Sequence, residues 1–224
     1  MKKHLLLACM MLSVMACQKE KSIVTPDGTH VTSSAFTAGI GSYFVYNIFE
    51  IDSNGQETPY GIPDTIFVVG DTLLNGHRFL HLRDQWFNLG QISTFLRDSS
   101  EFIVDRWGII RWASANLADT IRIDQGNSIL KWFGIGRVNQ SFVLPAGTLN
   151  GQPVASKTLA AFELQMHHYY TNGNRISLCD STFVQKELFV AGIGMVRNQL
   201  IWVSSHYADC KYYERRLVHF VINK

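Results

Sequence analysis

Long apolar runs and an excess of one charge are both missing from this sequence. The longest apolar run covers residues 5–15, about eleven residues, whereas a helix needs roughly twenty to cross a bilayer. The chain has 20 basic and 18 acidic residues, and the two counts become equal once Lys2 and Lys3, which precede that run, are set aside. A neutral domain with dispersed charges does not attract nucleic acid, so a nucleic-acid partner is not expected.

The glycine signatures of nucleotide-binding and hydrolase folds are also missing. Gly-Ile-Gly occurs three times, with its glycines at Gly39, Gly41, Gly134, Gly136, Gly192 and Gly194. A dinucleotide loop needs a third glycine three residues later, and Phe44, Asn139 and Arg197 stand there instead. There is no phosphate-loop lysine, no Gly-x-Ser-x-Gly turn and no cysteine placed as a nucleophile. The sequence therefore predicts no cofactor and no catalytic residue.

Metal ligands and paired catalytic acids are weakly represented. His77 and His81 lie four residues apart on a predicted strand, but a site would need a further ligand such as Asp71. His167-His168 would point to opposite faces of a strand, and the loops at the aspartates lack calcium-loop spacing. Most acidic residues lie beside turns, as solvated residues do. No metal site is expected, and a glycan hydrolase using two carboxylates is the least favoured function.

What is present begins with a secretory signal. Lys2 and Lys3 precede the apolar run, which ends at Val14-Met15-Ala16-Cys17. This end resembles the lipobox of bacterial lipoproteins, in which the cysteine is lipidated. Residues 1–16 are thus predicted to be a signal peptide, residues 17–38 a lipidated N-terminus and polar tether, and residues 39–224 one domain. The alternative is an ordinary cleaved signal with a coincidental cysteine.

The domain has the pattern of an all-β fold. Asn-Gly, which suits tight hairpin turns, occurs four times, and Asn75-Gly76 separates two runs of alternating apolar residues. A two-residue turn there places Val69 opposite Leu82 and Phe79 opposite Thr72. Short strands with turn signals about every ten residues predict a single antiparallel domain, a curled meander, sandwich or barrel. At most one short helix is expected, in residues 159–166, where the pattern also fits a strand.

The Gly-Ile-Gly copies are interpreted as backbone devices. Their unequal spacing argues against a propeller or solenoid, and glycine within a strand marks a bulge, a bend or a close approach. The tryptophans either fill the core, which is favoured for most of them, or line a binding face; they are Trp86, Trp107, Trp112, Trp132 and Trp202.

Several short motifs together carry a family resemblance. They are Tyr43-Phe-Val-Tyr46, Asp64-Thr-Ile-Phe-Val-Val-Gly-Asp-Thr72, Leu144-Pro-Ala-Gly-Thr148, Gly192-Ile-Gly-Met-Val-Arg197 and Glu214-Arg-Arg-Leu-Val218. With the lipobox, they resemble uncharacterised envelope lipoproteins of Bacteroidota-type bacteria. The resemblance implies an extended antiparallel β-fold and no known activity. Gln18-Lys-Glu20 is similar to the surface-export signal of such lipoproteins, so an outer-membrane lipoprotein on the periplasmic or surface face is expected.

Three functions remain open at this stage. A non-catalytic binding or structural role in the envelope is favoured, with the membrane as a partner through the anchor. The partner beyond the membrane would be an envelope protein, a glycan or an apolar ligand. A carrier that encloses an apolar ligand in a β-lined pocket is the second candidate, and the hydrolase is the third.

Two of the four cysteines remain in the predicted domain, Cys179 and Cys210. An even pair in an oxidising compartment predicts a disulfide, provided that the strands between them are antiparallel neighbours and their Cα atoms approach within roughly 7 Å. The alternative is two independent buried thiols.

Overall fold

The computed structural model describes residues 37–84, 91–99, 102–108, 110–113, 120–125, 130–170, 177–178, 181–182, 184–200 and 211–224. These ranges contain strands and no helix, so the domain is all-β, as the alternating pattern predicts. The strands are β1 (Tyr43–Ile51), β2 (Glu57–Pro59), β3 (Asp64–Leu74), β4 (His77–Asp84), β5 (Ile92–Ser99), β6 (Phe102–Asp105), β7 (Ile110–Ala113), β8 (Thr120–Gln125), β9 (Leu130–Leu144), β10 (Gly147–Leu149), β11 (Gln152–Val154), β12 (Lys157–Tyr170), β13 (Ser177–Leu178), β14 (Ser181–Thr182), β15 (Val184–Val190), β16 (Gly194–Leu200) and β17 (Tyr212–Ile222).

Fifteen of these strands form one sheet that curls into a half-barrel. Its order is β7-β6-β5-β4-β3-β1-β17-β16-β15-β12-β9-β8, with β2 on β1, and β10 on β11 and β17. Strands β13 and β14 form a separate pair. The strand pairs of the described residues are antiparallel except the short contact between β10 and β17, which is parallel. The pairing of consecutive strands is the meander that closely spaced turns favour.

The first and last long strands lie side by side in the middle of the sheet. β1 pairs with β17 from Tyr43 opposite Val221 to Ile51 opposite Tyr212. The segment before β1 is also bound to the end of the chain, since Gly39 N donates to the carbonyl of Asn223 at 2.5 Å. From this centre, β3–β7 form one arm of the sheet, and β16, β15, β12, β9 and β8 form the other.

Alternation of side chains along the central strands builds the core. In β1, Phe44, Tyr46 and Ile48 are buried, and the residues between them are only partly buried. Opposed residues share a face of the sheet, which brings Phe44 together with Phe220 of β17 and Ile66 of β3. The central core cluster also includes Val68, Leu82, Leu144, Leu188, Val190, Val196, Leu217 and Ile222.

The hairpin predicted at Asn75-Gly76 is present between β3 and β4. Asn75 has a φ of 51° and Gly76 a φ of 78°, and Thr72 lies opposite Phe79 as expected. The predicted pairing of Val69 with Leu82 is wrong, because a β-bulge shifts the register and places Val68 opposite Leu82.

Two further expectations about elements are corrected. Residues 159–166 lie inside strand β12, so the helix alternative does not hold. Short strands are expected about every ten residues, but β9 runs without a break from Leu130 to Leu144. The described ranges also include no helix with the length and apolar character needed to cross a bilayer.

Candidate functional site: a cavity between the arms of the sheet

The curl of the sheet leaves a cavity of about 400 Å³ between its two arms. One wall comes from β3–β7, the opposite wall from β15–β17, and Phe44 and Tyr46 of β1 lie between the two. Most of the wall is apolar, as in the side chains of Phe44, Ile66, Leu82, Ile103, Phe189 and Met195. A volume of this size lies at the lower end of the range typical of small-molecule pockets, roughly 300–1,000 Å³.

A buried arginine closes one side of the cavity. Arg215 lies on β17 with its side chain only 2% exposed. Its Nη1 and Nη2 donate to the two carboxylate oxygens of Asp84 at 3.0 and 3.3 Å, and Nη2 lies 2.5 Å from Asp64 Oδ2. The bidentate geometry fixes the guanidinium plane, so the arginine ties the central strand β17 to β3 and β4.

Tyr46 lies beside this ion cluster and also lines the cavity. Its hydroxyl donates to the carbonyl of Met195 at 2.8 Å, which links β1 to β16. Burial raises the pKa of Tyr46 above its ordinary value, an effect opposed by Arg215 and reinforced by Asp84 and Asp64. The side chain is therefore a neutral hydrogen-bond donor and a rigid part of the wall.

The turn after β6 carries the second polar group of the cavity. Asp105 is 1% exposed, and its Oδ2 accepts a hydrogen bond of 2.8 Å from Arg111 Nε. Its Oδ1 accepts from the backbone N–H of Trp107 at 3.0 Å, and its carbonyl accepts from Gly108 N at 2.9 Å. Such aspartate-to-backbone bonds stabilise a turn and hold Arg106 and Trp107 in place.

The exposed members of the wall mark its opening. Trp107 is 67% exposed and Ile92 is 43% exposed. The guanidinium carbon of Arg106 lies 4.1 Å from the centre of the Trp107 ring and 5.4 Å from that of Phe95, within the range of cation–π attraction. We call Arg106, Trp107, Phe95 and Ile92 the mouth of the cavity.

Asn198 contributes a buried amide to the opposite wall. It is 8% exposed, and its Oδ1 has no hydrogen-bond partner among the residues that the structure describes. It lies opposite Glu187 on β15 and Arg215 on β17, so a polar row crosses three strands of an otherwise apolar wall. An unsatisfied buried acceptor costs about 1–3 kcal/mol, and a donor on a bound molecule would remove that cost.

A different buried acid, Glu163 of β12, serves the sheet and does not line the cavity. It is 4% exposed and accepts hydrogen bonds of 2.6 Å from both Gln140 and Gln165. Lys186 and Arg197 lie 3.9 and 4.0 Å from its oxygens. This set of donors compensates one buried charge and links four strands.

Several expectations about polar residues need correction. Asp64, Asp84, Asp105, Glu163 and Glu214 are buried, although the sequence pattern read most acidic residues as solvated beside turns. Trp107 is exposed and lies at the mouth, so it is not a core tryptophan. The alternation of inward and outward residues along β3 was a sequence signal for the burial of Asp64. Asp64, Ile66 and Val68 are two residues apart, so their side chains point to the same, inward face of the strand.

Two of the side chains considered as metal ligands, Asp71 and His81, have separate partners in the structure. Arg78 Nε donates to Asp71 at 2.5 Å, and His81 stacks on Phe95 with ring centres 4.7 Å apart, so these side chains do not meet around a common centre. Within the described ranges, no group of three or more His, Cys, Asp or Glu side chains could hold a metal ion. The side chains of His167 and His168 lie outside the described set.

The glycines singled out in the sequence occupy several different settings. Gly41, Gly192 and Gly194 have φ values of 84°, 77° and 105°. At Gly39, an added Cβ would lie 2.8 Å from the carbonyl oxygen of Asn223. Gly134 and Gly136 lie in β9, opposite Met166 and Leu164 of β12. The remaining predicted site residues, Cys17, Cys179 and Cys210, lie outside the described residues, so lipidation and the disulfide stay predictions.

The fold and the cavity together define a curled antiparallel sheet protein with an apolar pocket between its arms. No protein-family model matches the chain, and no curated protein matches it. Two solved structures are similar over 84% of this chain. One is a candidate exported protein with a YmcC-like fold from Bacteroides fragilis, with 10% identity, a TM-score of 0.46 and 99% of that chain covered. The other is a candidate lipoprotein from Parabacteroides distasonis, with 7% identity, a TM-score of 0.34 and 98% covered.

Proposed function

We propose that this protein is a lipid-anchored, non-catalytic protein of the outer membrane that binds an apolar ligand in the cavity between the arms of its sheet. The observation that supports this most strongly is the cavity itself, about 400 Å³ in volume. Ligand sites are concave spaces lined mostly by apolar side chains with a few polar groups among them, and the cavity has these features. The cavity therefore favours a carrier or binding role over a structural one.

The polar groups of the wall fit a binding role. Arg215 is engaged by Asp84 and Asp64, and Arg111 by Asp105, so these charges compensate one another inside the wall. Asn198 Oδ1, which has no partner within the described part of the chain, supplies a polar atom that can orient a ligand. Ligand sites commonly combine apolar walls with a few polar groups of this kind.

The hydrolase alternative is less well supported. A glycoside hydrolase needs one carboxylic acid that carries a proton and a second carboxylate near it. Asp84 and Asp105 both line the cavity, but each is already held in an ion pair with an arginine of the wall, Asp84 with Arg215 and Asp105 with Arg111. The arrangement suits a rigid wall better than proton transfer.

The test is binding of N-phenyl-1-naphthylamine, a neutral apolar dye whose fluorescence rises on leaving water, to the full-length chain. Thr94 lines the cavity, and Thr94→Trp would fill part of it. Thr65 of β3 lies opposite Val45 and does not line the cavity, so Thr65→Trp is the matched control. We expect wild type and Thr65→Trp to bind the dye and Thr94→Trp to bind it at least about tenfold more weakly. Failure of the wild type to bind, or equal binding by Thr94→Trp, would refute the proposal.

A further inference from the structure

The mouth of the cavity holds a cation, Arg106, for which the described part of the chain provides no acidic partner. Within the described ranges, Arg106 makes no ion pair, and its contacts are the ring faces of Trp107 and Phe95. The other two arginines of the wall are engaged, Arg111 by Asp105 and Arg215 by Asp84. Arg106 is thus the arginine of the wall whose hydrogen-bonding groups are open to a ligand.

The position of Arg106 is set before any ligand arrives. The turn from Asp105 to Gly108 is closed by hydrogen bonds from Trp107 N and Gly108 N to Asp105, and Asp105 is in turn held by Arg111. The Phe95 ring also stacks on the ring of His81. His81 Nε2 in turn lies 3.0 Å from Ser93 Oγ. A group held in this way loses little conformational entropy on binding.

The cavity and its mouth differ in what they can solvate. An anionic group would be costly in the apolar interior, but at the exposed mouth it keeps contact with water and gains the guanidinium of Arg106 as a partner. An alkyl chain has the opposite preference, because each buried CH₂ contributes about 0.8 kcal/mol. The mouth is cationic and hydrated, and the interior is apolar. This arrangement fits a molecule with an anionic group at one end and an alkyl chain at the other.

We propose that the ligand is a single-chain amphiphile with an anionic head group, bound with its chain in the cavity and its head at Arg106. This inference rests on the proposed function, because it names the class of the apolar ligand. The volume of about 400 Å³ lies at the small end of ligand pockets, which favours one alkyl chain over two. The five donors of the guanidinium suit a carboxylate or a phosphate equally, and both share the negative charge that the proposal requires.

Three probes with the same chain separate the head group from the tail: dodecanoate, 1-dodecanol and dodecyltrimethylammonium, each used below its aggregation concentration. Each competes with N-phenyl-1-naphthylamine for the full-length chain. We expect dodecanoate to displace the dye at a concentration about fivefold lower than 1-dodecanol, and the cation to be the weakest. The preference for dodecanoate should decrease with added salt, since the mouth is exposed.

Variants then assign the preference to one side chain. Arg106→Gln should abolish the preference for dodecanoate over 1-dodecanol. Arg106→Lys should retain part of it, because the charge remains. Arg83→Gln, an exposed arginine of β4 that does not line the cavity, should behave as the wild type.

The outcomes distinguish this inference from the function on which it rests. If the dye binds and all three probes displace it equally, or if Arg106→Gln retains the preference, the anionic head group is wrong and the apolar cavity stands. If neither the dye nor any probe binds, both proposals fail. Stronger binding of dodecyltrimethylammonium than of dodecanoate would likewise overturn the inference, since it would assign the mouth to cations.

Discussion

At the scale of single residues, the centre of the sheet depends on one guanidinium. Arg215 faces the interior from β17, between Asn198 of β16 and Ile48 of β1, where an isolated charge would be very costly. The carboxylates of Asp64 and Asp84, two buried residues, compensate this charge and reach it from β3 and β4. The cluster therefore connects β17, at the centre of the sheet, to β3 and β4 of the β3–β7 arm.

Arg215→Leu should lower the free energy of unfolding by about 3–5 kcal/mol, because it leaves two buried carboxylates without their cation. Urea unfolding measures this, with the exposed Arg83→Leu as the control, for which a change within about 0.5 kcal/mol is expected. A loss below about 1 kcal/mol for Arg215→Leu would mean that the buried cluster does not hold β17 against β3 and β4.

Tyrosine burial makes stability depend on alkaline pH. Burial, together with the nearby Tyr60 and Glu50, raises the pKa of Tyr213 from 10.0 to about 12, and burial also raises that of Tyr46. Above pH 10 the unfolded chain loses these protons while the folded chain keeps them, so unfolding becomes easier as pH rises. For Tyr213, the stability linked to its proton is fully present below pH 10 and is lost as pH rises through about 12.

The expected result is a fall in the free energy of unfolding between pH 10 and pH 12, measured by urea titration at fixed ionic strength. Tyr213→Phe cannot ionise and should make that fall shallower. An identical pH dependence in wild type and Tyr213→Phe would show that Tyr213 does not contribute to it.

At the scale of strands and turns, two asparagine-glycine pairs close hairpins in the same way. Asn75-Gly76 joins β3 to β4, and Asn150-Gly151 joins β10 to β11, with φ values of 51° and 78°, and of 50° and 75°. Two consecutive residues with positive φ give the turn whose twist matches that of the flanking strands. A Cβ added at Gly76 would have no heavy atom within 4 Å. Glycine is therefore favoured at this position because of its positive φ and not because of limited space.

Gly76→Val should therefore destabilise the protein by about 1 kcal/mol or more. Gly70→Val is the matched control: Gly70 lies in the same strand pair with equal free space around its Cβ position, and it does not have positive φ. Thermal or urea unfolding of the two variants is the measurement. If Gly76→Val and Gly70→Val destabilised the protein equally, the effect would come from replacing any glycine of this strand pair by valine, and not from the positive φ of the turn.

Particular elements show which parts of the fold and of the cavity could be predicted from the sequence. The hairpin at residues 75–76 was predictable because its turn chemistry is local. The register beyond it was not, since the bulge that skips Val69 depends on pairing across the sheet. Strand β9 is fifteen residues long, although turn signals about every ten residues predict shorter strands, and the register skips Asn139 at a bulge opposite Ala161 and Phe162. A β-lined pocket was one of the alternatives that the sequence left open, but its lining was not predictable, because Arg106, Glu187 and Asn198 come to line one space only through the curl of the sheet.

At the scale of the whole molecule, the sheet has a stable middle and two arms that enclose a ligand-sized space. The first and last strands pair in that middle, so the ends of the folded domain reinforce each other. Both arms contribute to the cavity wall, and its mouth carries Arg106. A lipid at Cys17 would keep this pocket close to the membrane, from which an amphiphile can be taken up or to which it can be delivered.

The anchor predicts a specific covalent difference. The wild-type chain should fractionate with membranes and carry the mass of acyl groups at Cys17, whereas Cys17→Ser should be released from membranes with its fold intact. Cys179→Ser is the matched control and should keep both the acyl mass and the membrane fraction. Intact mass spectrometry and membrane fractionation decide the matter, and a Cys17→Ser protein that stays with the membranes as the wild type does would end the lipobox interpretation.

The most direct test of the central claim is methyl NMR of the full-length chain during titration with dodecanoate. The account predicts that shifts concentrate on methyl groups of the cavity wall, those of Ile66, Ile103, Ile193 and Met195. Methyl groups that do not line the cavity, those of Ile48, Ile51 and Ile222, should change little. Saturating dodecanoate that leaves the wall methyls unshifted, or that shifts the exposed Val69, Val143 and Val218 instead, would contradict the claim that this cavity is the binding site.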